Sequence, residues 1–86
     1  MEIAYLAQAL EDLDFWRLSG NKKVQNKIAQ LIESIRNTPH EGLGKPEPLK
    51  HDLTGKWSRR ITETHRLVYE VENDKIFIYS LKGHYK

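Results

Sequence analysis

The hydrophobic period changes part-way along this chain, and few folds accommodate both halves. Leu6, Ala9, Leu10, Leu13 and Trp16 recur at three- and four-residue steps, and Val24, Ile28, Leu31, Ile32 and Ile35 do so again. Such stripes are the buried faces of two amphipathic helices. Gly20 reads as the stop of the first, and Asn21 as the N-cap of the second. Asn37-Thr38-Pro39 ends the second helix, and His40–Pro48, with Gly42, Gly44 and two further prolines, reads as a loop. From Trp57 the period is two: Trp57–Thr62, Arg66–Val71 and Lys75–Leu81 read as strands, and Met1–Tyr5 as a fourth, shorter one. The predicted class is α+β, with two N-terminal helices packed on one face of a small, mostly antiparallel twisted sheet whose second face is partly polar. At 86 residues, 1–86 form a single domain with a small core.

The strands can be paired on paper. Asn73-Asp74 suits a two-residue hairpin turn, because both residue types tolerate positive φ. Val71 then opposes Ile76, Tyr69 opposes Ile78 and Leu67 opposes Ser80, on the core side. The other side carries Arg66, Val68, Glu70, Phe77, Tyr79 and Leu81. For the preceding hairpin, a three-residue loop Glu63-Thr64-His65 sets Ile61 against Leu67 and Trp57 against Val71, and leaves Arg60 and Arg66 on the open face. A two-residue loop would set Ile61 against Arg66, and one such slip inverts every side chain.

Charge is uneven. Residues 1–43 hold 5 Lys/Arg against 6 Asp/Glu, and residues 44–86 hold 9 against 6. The excess gathers in Lys45, Lys50, Lys56, Arg59, Arg60 and Arg66, which points to a polyanion or an acidic protein as partner. A solvated basic face, with Arg59-Arg60 as a surface pair, explains charge alone equally well. Cysteine is absent, so disulfides and thiolate metal sites are excluded. The N-terminus lacks the basic and apolar regions of a secretion signal, and no apolar run reaches the length of a membrane span. The four histidines show no metalloprotease spacing, so no metal is expected, and neither a P-loop nor a dinucleotide fingerprint provides for a cofactor.

One stretch is unusual for a solvated loop. In GKPEPLKH, Gly44–His51, Glu47 stands between Pro46 and Pro48. Proline fixes its own φ and pushes the preceding residue to extended conformations, so the carboxylate is carried on stiffened backbone. Arg66 opens the next-to-last strand, and His84 follows Gly83 near the chain's end. Strict alternation puts His84 on the sheet face away from Arg66, and a bulge at Gly83 is needed to bring it round. Spacing does not decide whether Glu47 joins them. Together the three would suit RNA cleavage: a carboxylate takes a proton from a hydroxyl, a guanidinium grips phosphoryl oxygens, and an imidazole protonates a leaving oxygen. RNA supplies the nucleophile as its own 2′-hydroxyl. Lys50 and Arg60 suit flanking phosphates, and Tyr85 suits stacking on a base.

The run GKPEPLKHDLTGKWSRRITETHRLVYEV, followed by the terminal GHY, closely resembles the YoeB/Txe-type toxins of bacterial type II toxin–antitoxin systems, within the RelE-like superfamily. The resemblance spans roughly Asp12 to Tyr85. Asp12, Asp14 and Trp16 match the acidic–aromatic pattern of the family's first helix more loosely, and the tryptophan-rich start of the family is not evident. The resemblance implies the RelE-like microbial ribonuclease fold and a cytoplasmic mRNA endoribonuclease that acts in the ribosomal A site and inhibits translation. It carries the general base to Glu47, the transition-state arginine to Arg66 and the general acid to His84. Supporting phosphate and base contacts fall on Lys50, Arg60 and Tyr85. It further implies a cognate YefM/Phd/Axe-type antitoxin, operator DNA bound through the toxin–antitoxin complex, no membrane and no metal. Homodimerisation stays open. A non-catalytic basic module that binds RNA or an acidic partner is the competing reading.

Overall fold

A computed structural model describes residues 1–83. Strand β1 (Glu2–Tyr5) leads into helix α1 (Ala7–Ser19), and helix α2 (Lys22–Asn37) follows after a two-residue break. Strands β2 (Glu47–Pro48), β3 (Trp57–Arg60), β4 (Arg66–Glu72) and β5 (Lys75–Ser80) complete the sheet, with a short 3₁₀ turn at His51–Leu53. The strand order is β1-β5-β4-β3-β2. β1 runs parallel to β5, and every other pairing is antiparallel.

The helix boundaries follow from local chemistry. Gly20 takes φ 72°, and its N–H bonds the Arg17 carbonyl; a residue with a Cβ would pay for that left-handed turn. Asn21 caps α2, its side chain accepting from the Val24 N–H at 3.1 Å. The core joins Ala9 and Trp16 of α1, Val24, Ile28, Leu31, Ile32 and Ile35 of α2, and Leu67, Tyr69, Ile76 and Ile78 of the sheet. Both helices therefore lie on one sheet face, as the periodicity requires. The first helix departs from its predicted stripe: Leu10 is exposed while Asp12 is buried.

Three expectations about the sheet change. Glu47–Pro48 belongs not to a loop but to an edge strand, where a missing N–H breaks no interior ladder. The β3–β4 pairing sets Trp57 against Tyr69 and Arg60 against Arg66, two residues from the predicted register. The cause is Thr62, whose Oγ1 accepts from the Thr64 and His65 N–H groups at 3.1 and 3.0 Å and so starts the turn one residue early. An even shift keeps every side chain on its face, so Arg60 and Arg66 still share the open side. In the last hairpin, Val71–Ile76 and Tyr69–Ile78 pair as expected, but Ser80 meets Val68 rather than Leu67. Tyr79 is the extra residue, so the bulge lies there and not at Gly83. Alternation is inverted beyond it, and Leu81 enters the core instead of the open face.

Candidate active site

The second sheet face collects the predicted residues by register. Glu47 stands opposite Ser58 and Ser58 opposite Val68, while Arg60 stands opposite Arg66, one step further along. Alternation gives all five side chains the same face. From strand spacing and rise, the Cα atoms of Glu47 and Arg66 are ~12 Å apart, close enough for two long side chains to flank a phosphodiester. Arg60 and Arg66 are direct cross-strand neighbours. Like charges so placed repel, and an anion between them relieves the repulsion.

Backbone geometry explains how Glu47 is delivered. Gly44 and Lys45 both have positive φ, 86° and 53°. The reversal lets the Gly44 carbonyl accept the Arg60 N–H at 2.7 Å, which ties the approach to Glu47 directly to the arginine strand. A Cβ on Gly44 would lie 2.6 Å from Leu31 Cδ2 and 3.1 Å from Arg59 Cβ, so only glycine lets the chain pass this close to α2 and β3. On the far side, the Leu49 N–H bonds the Lys56 carbonyl at 2.9 Å and closes the β2–β3 connection. Lys50 is exposed on that connection, three residues after Glu47.

The Arg66 guanidinium leans over the β3–β4 turn. Its Nη1 donates to the carbonyls of Thr62, Glu63 and His65 at 3.0, 3.1 and 3.3 Å. Among the described residues Nε and Nη2 make no hydrogen bond, so the charge is anchored through one nitrogen. Its backbone N–H donates to the Gly83 carbonyl at 3.0 Å. The residue immediately before His84 is thus fastened to the strand that carries Arg66. His84 and Tyr85 themselves lie outside the described residues. Glu47, Arg60 and Arg66 are brought to one face, and Lys50 to the loop beside them.

Further along the same face, Tyr79 Oη donates to Glu70 Oε1 at 2.8 Å, and Lys56 Nζ lies 4.7 Å from the Tyr79 ring centre. The bond to a carboxylate favours the neutral phenol, so the Tyr79 hydroxyl titrates above its ordinary value near 10, with burial and the charges of Glu70 and Glu72 acting in the same direction.

Arg59 is not half of a surface pair. It faces the core, fully buried, with Nε donating to Tyr69 Oη at 3.1 Å, Nη1 to Ser34 Oγ and the Leu43 carbonyl at 2.7 and 3.0 Å, and Nη2 to the Thr38 and Glu41 carbonyls at 2.7 and 2.9 Å. It binds the 38–43 loop to the sheet and so braces the segment that leads to Gly44 and Glu47. The alternation of Trp57, Arg59 and Ile61 carried this signal. Nothing in the sequence marked the acceptors on α2 and in the 38–43 loop, which lie 16 to 25 residues away.

Known proteins resemble the chain over nearly its whole length. The family described as YoeB-like toxin of bacterial type II toxin–antitoxin system matches residues 5–85. The Toxin YoeB of Escherichia coli strain K12 is 47% identical over 85 residues, covering 99% of this chain and all of that one. Among solved structures, a YoeB/ParE toxin from Agrobacterium tumefaciens superposes with a TM-score of 0.94 at 39% identity, covering 99% of this chain and all of that one. A YoeB–YefM complex from Staphylococcus aureus superposes at 0.90 with 46% identity, covering 99% and 98%.

Proposed function

The chain belongs to the YoeB-like toxins of bacterial type II toxin–antitoxin systems, and from that membership we propose that it is a metal-independent endoribonuclease that cuts mRNA in the ribosomal A site. The observation that carries the reading is the shared face of Glu47, Arg60 and Arg66, with Gly83 fastened to Arg66 one residue before His84.

In the proposed reaction the Glu47 carboxylate takes the proton of a 2′-hydroxyl, and the 2′-oxygen attacks the adjacent phosphorus. Charge develops on the non-bridging oxygens, where Arg66 stabilises it. The bond from phosphorus to the 5′-oxygen breaks as the His84 imidazolium gives that oxygen a proton. The products are a 2′,3′-cyclic phosphate and a 5′-hydroxyl, with one proton taken up and one released by the protein. Arg60 and Lys50 hold neighbouring phosphates, and Tyr85 stacks on a base. No step requires a metal: the nucleophile is intrinsic to RNA, and the guanidinium supplies the positive charge. A YefM-type antitoxin neutralises the toxin by analogy with the complex from Staphylococcus aureus.

The test is cleavage of a translated mRNA by purified protein and ribosomes, read by mapping the cut ends. His84→Gln and Glu47→Ala should each lower the rate by about 10²–10⁴ while ribosome binding persists. Wild-type rates in both variants refute the acid and base assignments. RNA binding without cleavage by the wild type would favour the basic binding module instead.

A further inference from the structure

Three side chains distant in sequence converge on the backbone of Leu81–Gly83, just past the end of β5. Asp12 Oδ2 accepts the Leu81 N–H at 2.8 Å, and Trp16 Nε1 donates to the Leu81 carbonyl at 2.8 Å. The two stand four residues apart on α1 and so share a face. His65 Nδ1 accepts the Gly83 N–H at 2.9 Å. The Trp16 and His65 rings meet edge to face, 4.9 Å between centres at 85°, which joins the three contacts into one unit. The strand ladder has ended at Ser80, so side chains take over the satisfaction of these backbone groups. Asp12 is only 5% exposed, and its second oxygen accepts from Gln8 Nε2 at 3.0 Å. Burying a carboxylate is costly unless it is hydrogen-bonded, and chain ends fray unless tied down. A buried carboxylate spent on a main-chain N–H near a terminus marks a place where backbone position matters.

We infer that Asp12, Trp16 and His65 are positioning residues that aim the C-terminal segment bearing His84 at the phosphate held by Arg66; the inference rests on the ribonuclease reading. With Leu81 gripped at both its N–H and its carbonyl, and Gly83 likewise through His65 and the Arg66 N–H, the last peptide plane before His84 is fixed relative to Arg66. A displacement of ~1 Å at a reacting group slows catalysis by as much as ~10²-fold. Loosening the clamp therefore lowers the cleavage rate while substrate binding, which depends on the sheet-borne arginines and Lys50, stays intact.

His65 is the position to test, because its side chain is only half-buried. His65→Leu removes the acceptor and keeps bulk against Trp16, whereas His65→Asn offers an amide oxygen in place of Nδ1. Trp16→Phe keeps the ring contact and deletes the donor to Leu81. Single-turnover cleavage on programmed ribosomes, ribosome affinity and hydrogen exchange of the Gly83 amide are measured for each. His65→Leu should cleave about 10-fold or more slowly, bind ribosomes with wild-type affinity and exchange the Gly83 amide faster. Trp16→Phe should slow cleavage in the same way, and His65→Asn should recover most of the lost rate and protection. Wild-type cleavage rates in both His65→Leu and Trp16→Phe overturn the positioning role, as does an equal loss in the Leu and Asn variants. A wild-type protein that cleaves nothing while its Gly83 amide is protected overturns the ribonuclease reading, and the positioning role with it.

Discussion

Replacing Arg59 by methionine should damage this protein more than any substitution on its basic surface. Methionine keeps most of the apolar stem and deletes five hydrogen bonds. Each is worth about 0.5–1.5 kcal/mol net, and more where a charge is involved. Some acceptors keep another donor: Ser34 Oγ still receives the Leu43 N–H, and the Glu41 carbonyl still receives Thr38 Oγ1. The 38–43 loop is also largely exposed, so water can reach part of what is freed. These discounts place the loss near the lower part of the sum, about 3–4 kcal/mol. In a domain of this size that lowers Tm by about 15–30 °C. Urea denaturation of Arg59→Met and Arg60→Met, side by side, separates the buried role from the charge. Arg60 is exposed, so its variant should stay within about 0.5 kcal/mol of wild type. Equal midpoints for the two variants would refute the assignment of Arg59 as the brace between loop and sheet.

Gly44→Ala should cost about 2–4 kcal/mol, from strain at φ 86° together with the 2.6 Å approach to Leu31 Cδ2; a urea midpoint unchanged from wild type would contradict the close-packing argument. Alkaline stability should fall for a specific reason. Burial raises the Tyr69 hydroxyl above its ordinary value near 10, against the opposing pull of the Arg59 hydrogen bond and charge. The neutral phenol is the form that the fold favours, so its contribution is fully present below pH ~10 and is lost as pH rises through the folded-state value. Tyr69→Phe, weaker at neutral pH for want of its bonds to Arg59 and the Pro39 carbonyl, should lose less of its remaining stability as pH rises above ~10. A denaturation series across that range checks it, and parallel curves for the two proteins would oppose the prediction.

Period and punctuation carried much of the fold. The α2 stripe, Gly20, Asn21 and the Asn73-Asp74 turn all act through contacts within a few residues, so the order of letters is enough to read them. The turn residues have φ 53° and 60°, as their chemistry permits. The β3–β4 register departs from period-two counting because a hydroxyl, that of Thr62, competes with strand pairing, and such counting has no term for it. The bulge falls at Tyr79 and not at Gly83 for a similar reason: alternation shows that an extra residue is needed somewhere, but not where. The candidate site was legible unevenly. Pro46 and Pro48 announced a stiffened Glu47, yet only the edge pairing with β3 set that carboxylate on the face of Arg60 and Arg66.

By itself, then, the sequence determined a helical half and a stranded half, the turns between them, and the residue types that an RNA-cleaving site needs. Tertiary structure alone decided that Arg59 is an interior brace while its neighbour Arg60 faces outward opposite Arg66, and that Asp12, Trp16 and His65 meet at one short piece of backbone. The physical reason is distance along the chain. Propensity and periodicity report energies exchanged between near neighbours, whereas a guanidinium that satisfies a carbonyl twenty-one residues away, or a carboxylate bonded to an amide sixty-nine residues later, gains its energy only after the chain has closed on itself.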